Sequence, residues 1–211
     1  SSVAIPDTVK SIGKETFDNC SKLEHVELPG SLTKIGELAF KGCASLKHID
    51  LPDSLNTIAS YAFIGCGLES VKLPASIRKF GECIFQCCPH LKTIELPNNL
   101  EQIPGGLAIR CTELQQIDIP DSVSKICVDA FRSTGFRSIE IPDTVTEIER
   151  GAFRGSSYLE FVELPSNLKR INSGTFEGCY ALKSVKIPDS VTEIGNCAFN
   201  ACRKLTLEIP T

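Results

Sequence analysis

The residues of this 211-residue chain with a capacity for chemistry are three histidines, eleven cysteines and a recurring set of carboxylates. His25, His48 and His90 come with no Gly-x-Ser-x-Gly elbow, no phosphate-cradling glycine loop and no pair of Cys-x-x-Cys motifs. Neither nucleophilic nor metal-assisted hydrolysis has its machinery, and no enzyme activity is expected. His25 and His48 each stand two residues before a carboxylate, Glu27 and Asp50, at a 23-residue interval. If that interval stacks them on adjacent rungs, the four come near enough to share a divalent cation. Solvent-facing side chains explain them with fewer assumptions, and no metal or cofactor is expected.

Seven cysteines (Cys20, Cys43, Cys66, Cys88, Cys111, Cys179 and Cys202) occupy one position of the same interval. One thiol per interval and an odd total do not resemble a disulfide framework or paired zinc ligands. The expectation is a column of buried, reduced thiols that behave as small hydrophobes. Cys83, Cys87, Cys127 and Cys197 lie off the column, where exposure would make them reactive; at least one is expected to be partly buried.

Proline sets the interval. Ten prolines, at positions 6, 29, 52, 74, 97, 120, 142, 165, 188 and 210, are spaced 22 or 23 residues apart. A fixed period of this length marks a solenoid, whose coils bury their apolar sides only by stacking. In the stretch Leu23 to Ser45, Val26 and Leu28 alternate with polar neighbours as in a short strand. Proline then ends the strand, having no N–H for a ladder, and Asp-Ser or Asp-Thr (Asp53, Asp121, Asp143, Asp189) supplies turn chemistry. Leu32, Ile35, Ala39, Phe40 and Cys43 continue the inward set. A second two-residue strand is expected around Lys34-Ile35-Gly36, and a single helical or 3-10 turn on the convex side. Stacked coils align Phe17, Phe40, Phe63, Phe85, Phe131, Phe153, Phe176 and Phe199, each ring removing about 150–250 Å² from water. Three coils are shortened, one near Leu205; the other two, at Cys66-Gly67-Leu68 and Thr134-Gly135-Phe136, lose a residue at a corner and read as surface loops.

The unit Leu-x-x-Val/Ile-x-Leu/Ile-Pro, followed by Ile-Gly-x-x-Ala-Phe-x-x-Cys, resembles the leucine-rich repeats of the BspA-like class over the whole chain. Ile187-Pro188-Asp189-Ser190-Val191-Thr192-Glu193-Ile194-Gly195 is close to that pattern. The resemblance implies a leucine-rich-repeat solenoid, a β-rich α/β horseshoe of about nine coils with a parallel concave sheet. It also implies cell-surface or secreted proteins used in adhesion and recognition. Ala59, Pro104, Cys127, Glu149 and Asn172 replace the glycine of the unit, so a positive φ is not obligatory there.

Ten rungs at about 4.8 Å give a body on the order of 45 Å long. Residues 1–211 are expected to form one domain, a piece of a longer chain. A net charge of −4 without a lysine or arginine stripe argues against nucleic acid, and no apolar run reaches the length of a membrane span.

Binding is expected on the outward strand positions of the concave sheet. The column after the inward Val/Ile reads Ala4, Glu27, Asp50, Lys72, Glu95, Asp118, Glu140, Glu163, Lys186, Glu208; seven of the ten are acidic. Lys47 with Asp50, Lys92 with Glu95 and Arg137 with Glu140 are expected to neutralise part of it within each coil. The column before is small and polar except for Phe161, a candidate anchor. The candidate site is therefore His25, Glu27, His48, Asp50, Gln116, Asp118, Glu140, Phe161 and Glu163. Its expected ligand is a protein or glycan, a basic partner being the sharper reading and plain solubility the simpler one. The alternative function is a scaffold subunit contacting partners through its ends or flanks. Val3-Ala4-Ile5-Pro6 and Ile209-Pro210-Thr211 lack a polar cap, which would permit end-to-end self-association. One coil departs from the pattern, with Ala108 in the phenylalanine position; Leu107 or Ile109 is expected to fill the gap, with a local kink or loosened turn, a ligand pocket there being the alternative.

Overall fold

The computed structural model describes residues 1–208, so the expectation for Ile209-Pro210-Thr211 lies outside the described residues. Seventeen strands of two or three residues, numbered in chain order, pair only in parallel and fall into two rows. The first row is β1 (Ser2–Ala4), β3 (His25–Glu27), β6 (Ser70–Lys72), β8 (Thr93–Glu95), β11 (Ser138–Glu140), β13 (Phe161–Glu163), β15 (Ser184–Lys186) and β17 (Thr206–Glu208). The second row is β2 (Ser11–Ile12), β4 (Lys34–Ile35), β5 (Thr57–Ile58), β7 (Lys79–Phe80), β9 (Gln102–Ile103), β10 (Lys125–Ile126), β12 (Glu147–Ile148), β14 (Arg170–Ile171) and β16 (Glu193–Ile194). Each residue pairs with its counterpart one coil on, as in Ile139↔Val162↔Val185. The proline period thus fixes register as well as fold, and the second strand expected around Lys34-Ile35 is present.

The first row is not one continuous sheet, as the repeat implied. It is hydrogen-bonded as β1-β3, β6-β8 and β11-β13-β15-β17, with no strand at His48–Asp50 or Gln116–Asp118. Every strand of this row ends in Ala, Glu or Lys, whereas the two missing rungs end in Asp50 and Asp118. Aspartate is depleted in strands because its short carboxylate competes for nearby backbone donors. The inward side chains hold regardless: Ile49 and Ile117 stay buried.

Among the described residues the convex side has turns and no helix. N–H groups of Ala39, Lys41 and Cys43 bond three residues back, to Gly36, Leu38 and Phe40. Those of Leu38, Phe40 and Gly42 bond across to Ser60, Ala62 and Ile64 of the next coil. Helical continuation is interrupted by a positive φ two residues before and two after each phenylalanine position, filled by eleven non-glycine residues and seven glycines. Leu38 (φ 56°) and Gly42 (φ 67°) are one such pair. The segment therefore alternates local turns with a third intercoil ladder.

Inside, rings stack at centroid spacings of 5.1–5.7 Å in two runs, Phe17-Phe40-Phe63-Phe85 and Phe131-Phe153-Phe176-Phe199. Phe17 and Phe199, in the terminal coils, are only partly buried. The cysteine column is similarly incomplete: Cys43, Cys66, Cys88, Cys111 and Cys179 are buried, but Cys202 is half-buried and Cys20 is exposed. A terminal coil has a neighbour on one side only. The shortened corners are not surface loops, since Gly67, Thr134, Gly135 and Phe136 are all buried. Losing a residue draws each corner onto the preceding coil, where a Cβ on Gly67 or Gly135 would stand 2.0 or 2.1 Å from the carbonyl oxygen of Ala44 or Thr112.

At the irregular coil, Leu107 fills the core beside Ala108 and Ile109 is half-buried, as expected. The convex turn is not loosened: Cys83, Phe85 and Cys87 N–H bond Gly105, Leu107 and Ile109 at 2.9, 3.0 and 2.7 Å. The flank opens instead. The second row is paired as β2-β4-β5-β7, β9-β10-β12 and β14-β16. No Cα of β7 lies within 8 Å of a Cα of β9, against about 4.8 Å between paired strands.

Candidate functional site

Strand alternation turns Val26, Val71, Ile94, Ile139, Val162 and Val185 into the core and leaves the flanking columns outside. Glu140 and Glu163 are in direct register, as are Ser138 and Phe161, so three predicted residues come together on β11 and β13. Phe161 is 51% exposed, with Lys183 Nζ 5.1 Å from its ring centroid. Glu140 and Glu163 also line a shallow groove of about 510 Å³ with Asp143, Lys186 and Asp189. The Ser166 N–H donates to Asp143 at 2.7 Å and holds that carboxyl below the usual range.

The remaining predicted residues are dispersed. His25 and Glu27 lie on β3 beside Ser2 and Ala4. His48 and Asp50 border a recess of about 230 Å³ with Ser70 and Lys72, and Gln116 and Asp118 border one of about 380 Å³ with Thr93 and Glu95. No ladder joins the His25 rung to the His48 segment. No cluster of three or more His, Cys, Asp or Glu fit to hold a metal occurs among the described residues.

The within-coil neutralisation of the acidic column does not form. Lys47 pairs with Glu69 at 3.2 Å, Lys92 with Glu113 at 3.9 Å and Arg137 with Glu160 at 3.7 Å, each one coil on. Residues three apart along an extended segment point to opposite sides, whereas the same corner one coil on is a close neighbour. Glu95 is joined by Lys72 at 3.3 Å, but Glu27, Asp50, Asp118, Glu140 and Glu163 make no ion pair among the described residues. The column is more acidic in effect than its sequence neighbours suggested.

Sequence reasoning missed two exposed aromatics in the same pair of coils. Tyr158 is 59% exposed, and Tyr180 is 47% exposed with the Arg203 guanidinium 5.0 Å from its ring centroid. Both occupy corner positions just before the inward leucine, and the column comparison that singled out Phe161 would have found them.

Three thiols of the column are shifted away from nucleophilic character, whereas hydrogen bonding with Cys66 lowers buried Cys43. Cys66 and Cys111 are pushed well above the ordinary thiol value, chiefly by hydrogen bonding to the neighbouring thiols Cys43 and Cys88 and then by burial; burial does the same to Cys179. Off the column, Cys83, Cys87 and Cys127 are half-buried, Cys83 and Cys127 being raised chiefly by burial, and Cys197 is exposed. A reactive cysteine needs the opposite shift.

Parallel rungs, stacked apolar columns and a polar, partly aromatic outer face define a leucine-rich-repeat solenoid built from turns and strands. The BspA type leucine rich repeat region matches residues 1–107 and 124–210 in six copies, and the chain belongs to that family. Among solved structures it is similar to a leucine-rich repeat protein from Bacteroides ovatus, with 32% identity, a TM-score of 0.70 and coverage of 97% of this chain and 65% of that one. It is also similar to a leucine rich cell surface protein from Faecalibacterium prausnitzii, with 27% identity, a TM-score of 0.63 and coverage of 98% and 65%. The pneumococcal vaccine antigen PcpA shares the fold at 23% identity, a TM-score of 0.69 and coverage of 98% and 62%. The chain thus spans 65% of the length of the first two structures. No curated protein matched it.

Proposed function

We propose that the chain is a non-enzymatic binding module, displayed at a cell surface or secreted, that takes a basic protein segment on its concave face. The observation that carries this reading is the registered pair Glu140 and Glu163, without ion-pair partners among the described residues and two positions along the strands from Ser138 and exposed Phe161. Adjacent solvated carboxylates about 5 Å apart repel by less than about 1 kcal/mol, so the column is tolerable empty and gains from an approaching cation. Phe161 adds apolar area that is covered only when a partner arrives. Placement at the surface rests on the likeness to the Faecalibacterium cell surface protein.

Immobilised lysine- and arginine-rich 15-residue peptides test the proposal by surface plasmon resonance. Wild-type protein should bind a subset of them, with an association rate that falls as salt rises from 50 to 300 mM. E140K/E163K should lose most of that rate, and F161A should chiefly speed dissociation. Binding unchanged in both variants, or lost only on convex-side substitution, would rule out the concave site.

A further inference from the structure

The cleft between β7 and β9 belongs to neither the concave face nor the convex turns. In regular coils the second-row carbonyl accepts from the N–H one coil on: Ile35 from Ala59, Ile58 from Gly81, Ile103 from Cys127 and Ile126 from Glu149. The equivalent carbonyl is that of Phe80, and its partner position holds Pro104, which has no N–H. Phe80 also replaces the isoleucine buried at Ile35, Ile58, Ile103 and Ile126, and its ring is only half-buried. A larger ring and a missing donor together explain why the ladder stops here. The result is an open groove of about 790 Å³ with strand edges for walls and Phe80 in its lining.

We propose that this cleft docks an extended strand from a partner protein, carrying an acidic residue followed by an aliphatic one, which enters parallel to the coils as an added rung. The walls stand more than 8 Å apart, and an inserted strand paired to both needs about 9.6 Å, twice the spacing of paired strands. Main-chain bonding to an exposed strand edge supplies affinity and side-chain placement supplies selectivity. The aliphatic residue falls in register with Phe80. The acidic one falls beside Lys79, which is exposed and without an ion pair among the described residues. Elsewhere in this row the same register joins Lys125 to Glu147 at 3.3 Å and Arg170 to Glu193 at 2.6 Å.

The chain itself supplies a probe. A fluorescein-labelled peptide with the sequence of residues 142–150, Pro-Asp-Thr-Val-Thr-Glu-Ile-Glu-Arg, forms such a rung in its own coil. Fluorescence anisotropy should show saturable binding to the wild-type protein, with the Phe80 amide gaining protection from hydrogen exchange. F80I/P104G, which restores the Ile-Gly of a regular coil and lets the ladder close, should bind at least about tenfold more weakly. The same peptide N-methylated at the Glu149 amide, which would meet the Phe80 carbonyl, should lose about tenfold on the wild-type protein; this arm stands even if F80I/P104G folds poorly. Absence of saturable binding up to about 1 mM, or equal binding of the methylated and unmethylated peptides, overturns the proposal. So does a wild-type dimer that the peptide dissociates and F80I/P104G abolishes, because the occupant is then a second copy of this chain.

Discussion

At the scale of single residues, the thiol column is a column of donors as well as a packing element. Sγ of Cys66, Cys88 and Cys111 donates to the carbonyls of Phe40, Phe63 and Phe85 one coil back, at 2.9, 3.1 and 3.0 Å. Where the pattern has no cysteine, Ser156 Oγ donates to Phe131 at 3.1 Å. Serine is therefore a workable substitute. The raised thiols give the fold a pH dependence of definite sign. A group whose folded-state value lies above its unfolded value contributes stability that is complete below the unfolded value, about 8.5 for cysteine, and is lost as pH rises past it. Cys66, Cys111 and Cys179 should each cost up to about 1.4 kcal/mol per pH unit above that point. Thermal unfolding followed by circular dichroism from pH 7.5 to 10.5 should show a falling Tm, and C66S/C111S/C179S should flatten the fall. An equally steep fall in the triple variant would show that other groups cause it. Phe63→Ala, which removes a ring stacked on both sides, should cost about 3–5 kcal/mol in urea unfolding.

At the scale of elements, the strands were legible because proline and the alternation around Val26 or Ile94 mark them directly. The convex segment was less so. Its positive-φ positions are held by Leu38, Tyr61, Cys83 and Arg110 as readily as by glycine, so no residue type announces them. The repeat can impose such angles because the flanking N–H groups are committed to the next coil. That commitment implies stored strain of about 1–2 kcal/mol per non-glycine residue. Arg110→Gly, at an exposed residue with φ 60°, should therefore raise stability, by roughly 0.5–1 kcal/mol after the added chain entropy of glycine. Arg150→Gly, exposed but without a positive φ, should lower it by a similar amount. Paired denaturant titrations would reveal the opposite signs; a loss in both would mean the turn ladder carries no strain. Similarly, the two lapses of the concave sheet were readable in Asp50 and Asp118, once the column was compared for strand fitness as well as charge. The acidic site was legible in position through alternation, but not in its pairing, since Lys47 and Arg137 choose partners across coils that one coil's sequence does not display.

At the scale of the whole molecule, coils that touch only their neighbours make stability a chain of local interfaces, and the array should part where one is weak. That place is the boundary between Phe80 and Gln102. The second-row ladder stops there, and Ala108 interrupts the ring stack between Phe85 and Phe131. The first-row pair β6-β8, the convex hydrogen bonds and the packing around Leu107 still continue across it. Residues on the two sides should then open as separate cooperative units. Native-state hydrogen exchange in increasing urea would show two protection isotherms, one for amides of β3 to β7 and another for those of β10 to β15. Restoring the regular Ala-Phe order with L107A/A108F should rebuild stacking across the boundary. If the interrupted spine is what divides the molecule, that variant merges the two isotherms and raises the lower one, because ring contacts at about 5.5 Å would again run from Phe85 through position 108 to Phe131. A single isotherm in the wild-type protein would mean that the convex ladder and the β6-β8 pair together couple the coils strongly enough to override both interruptions.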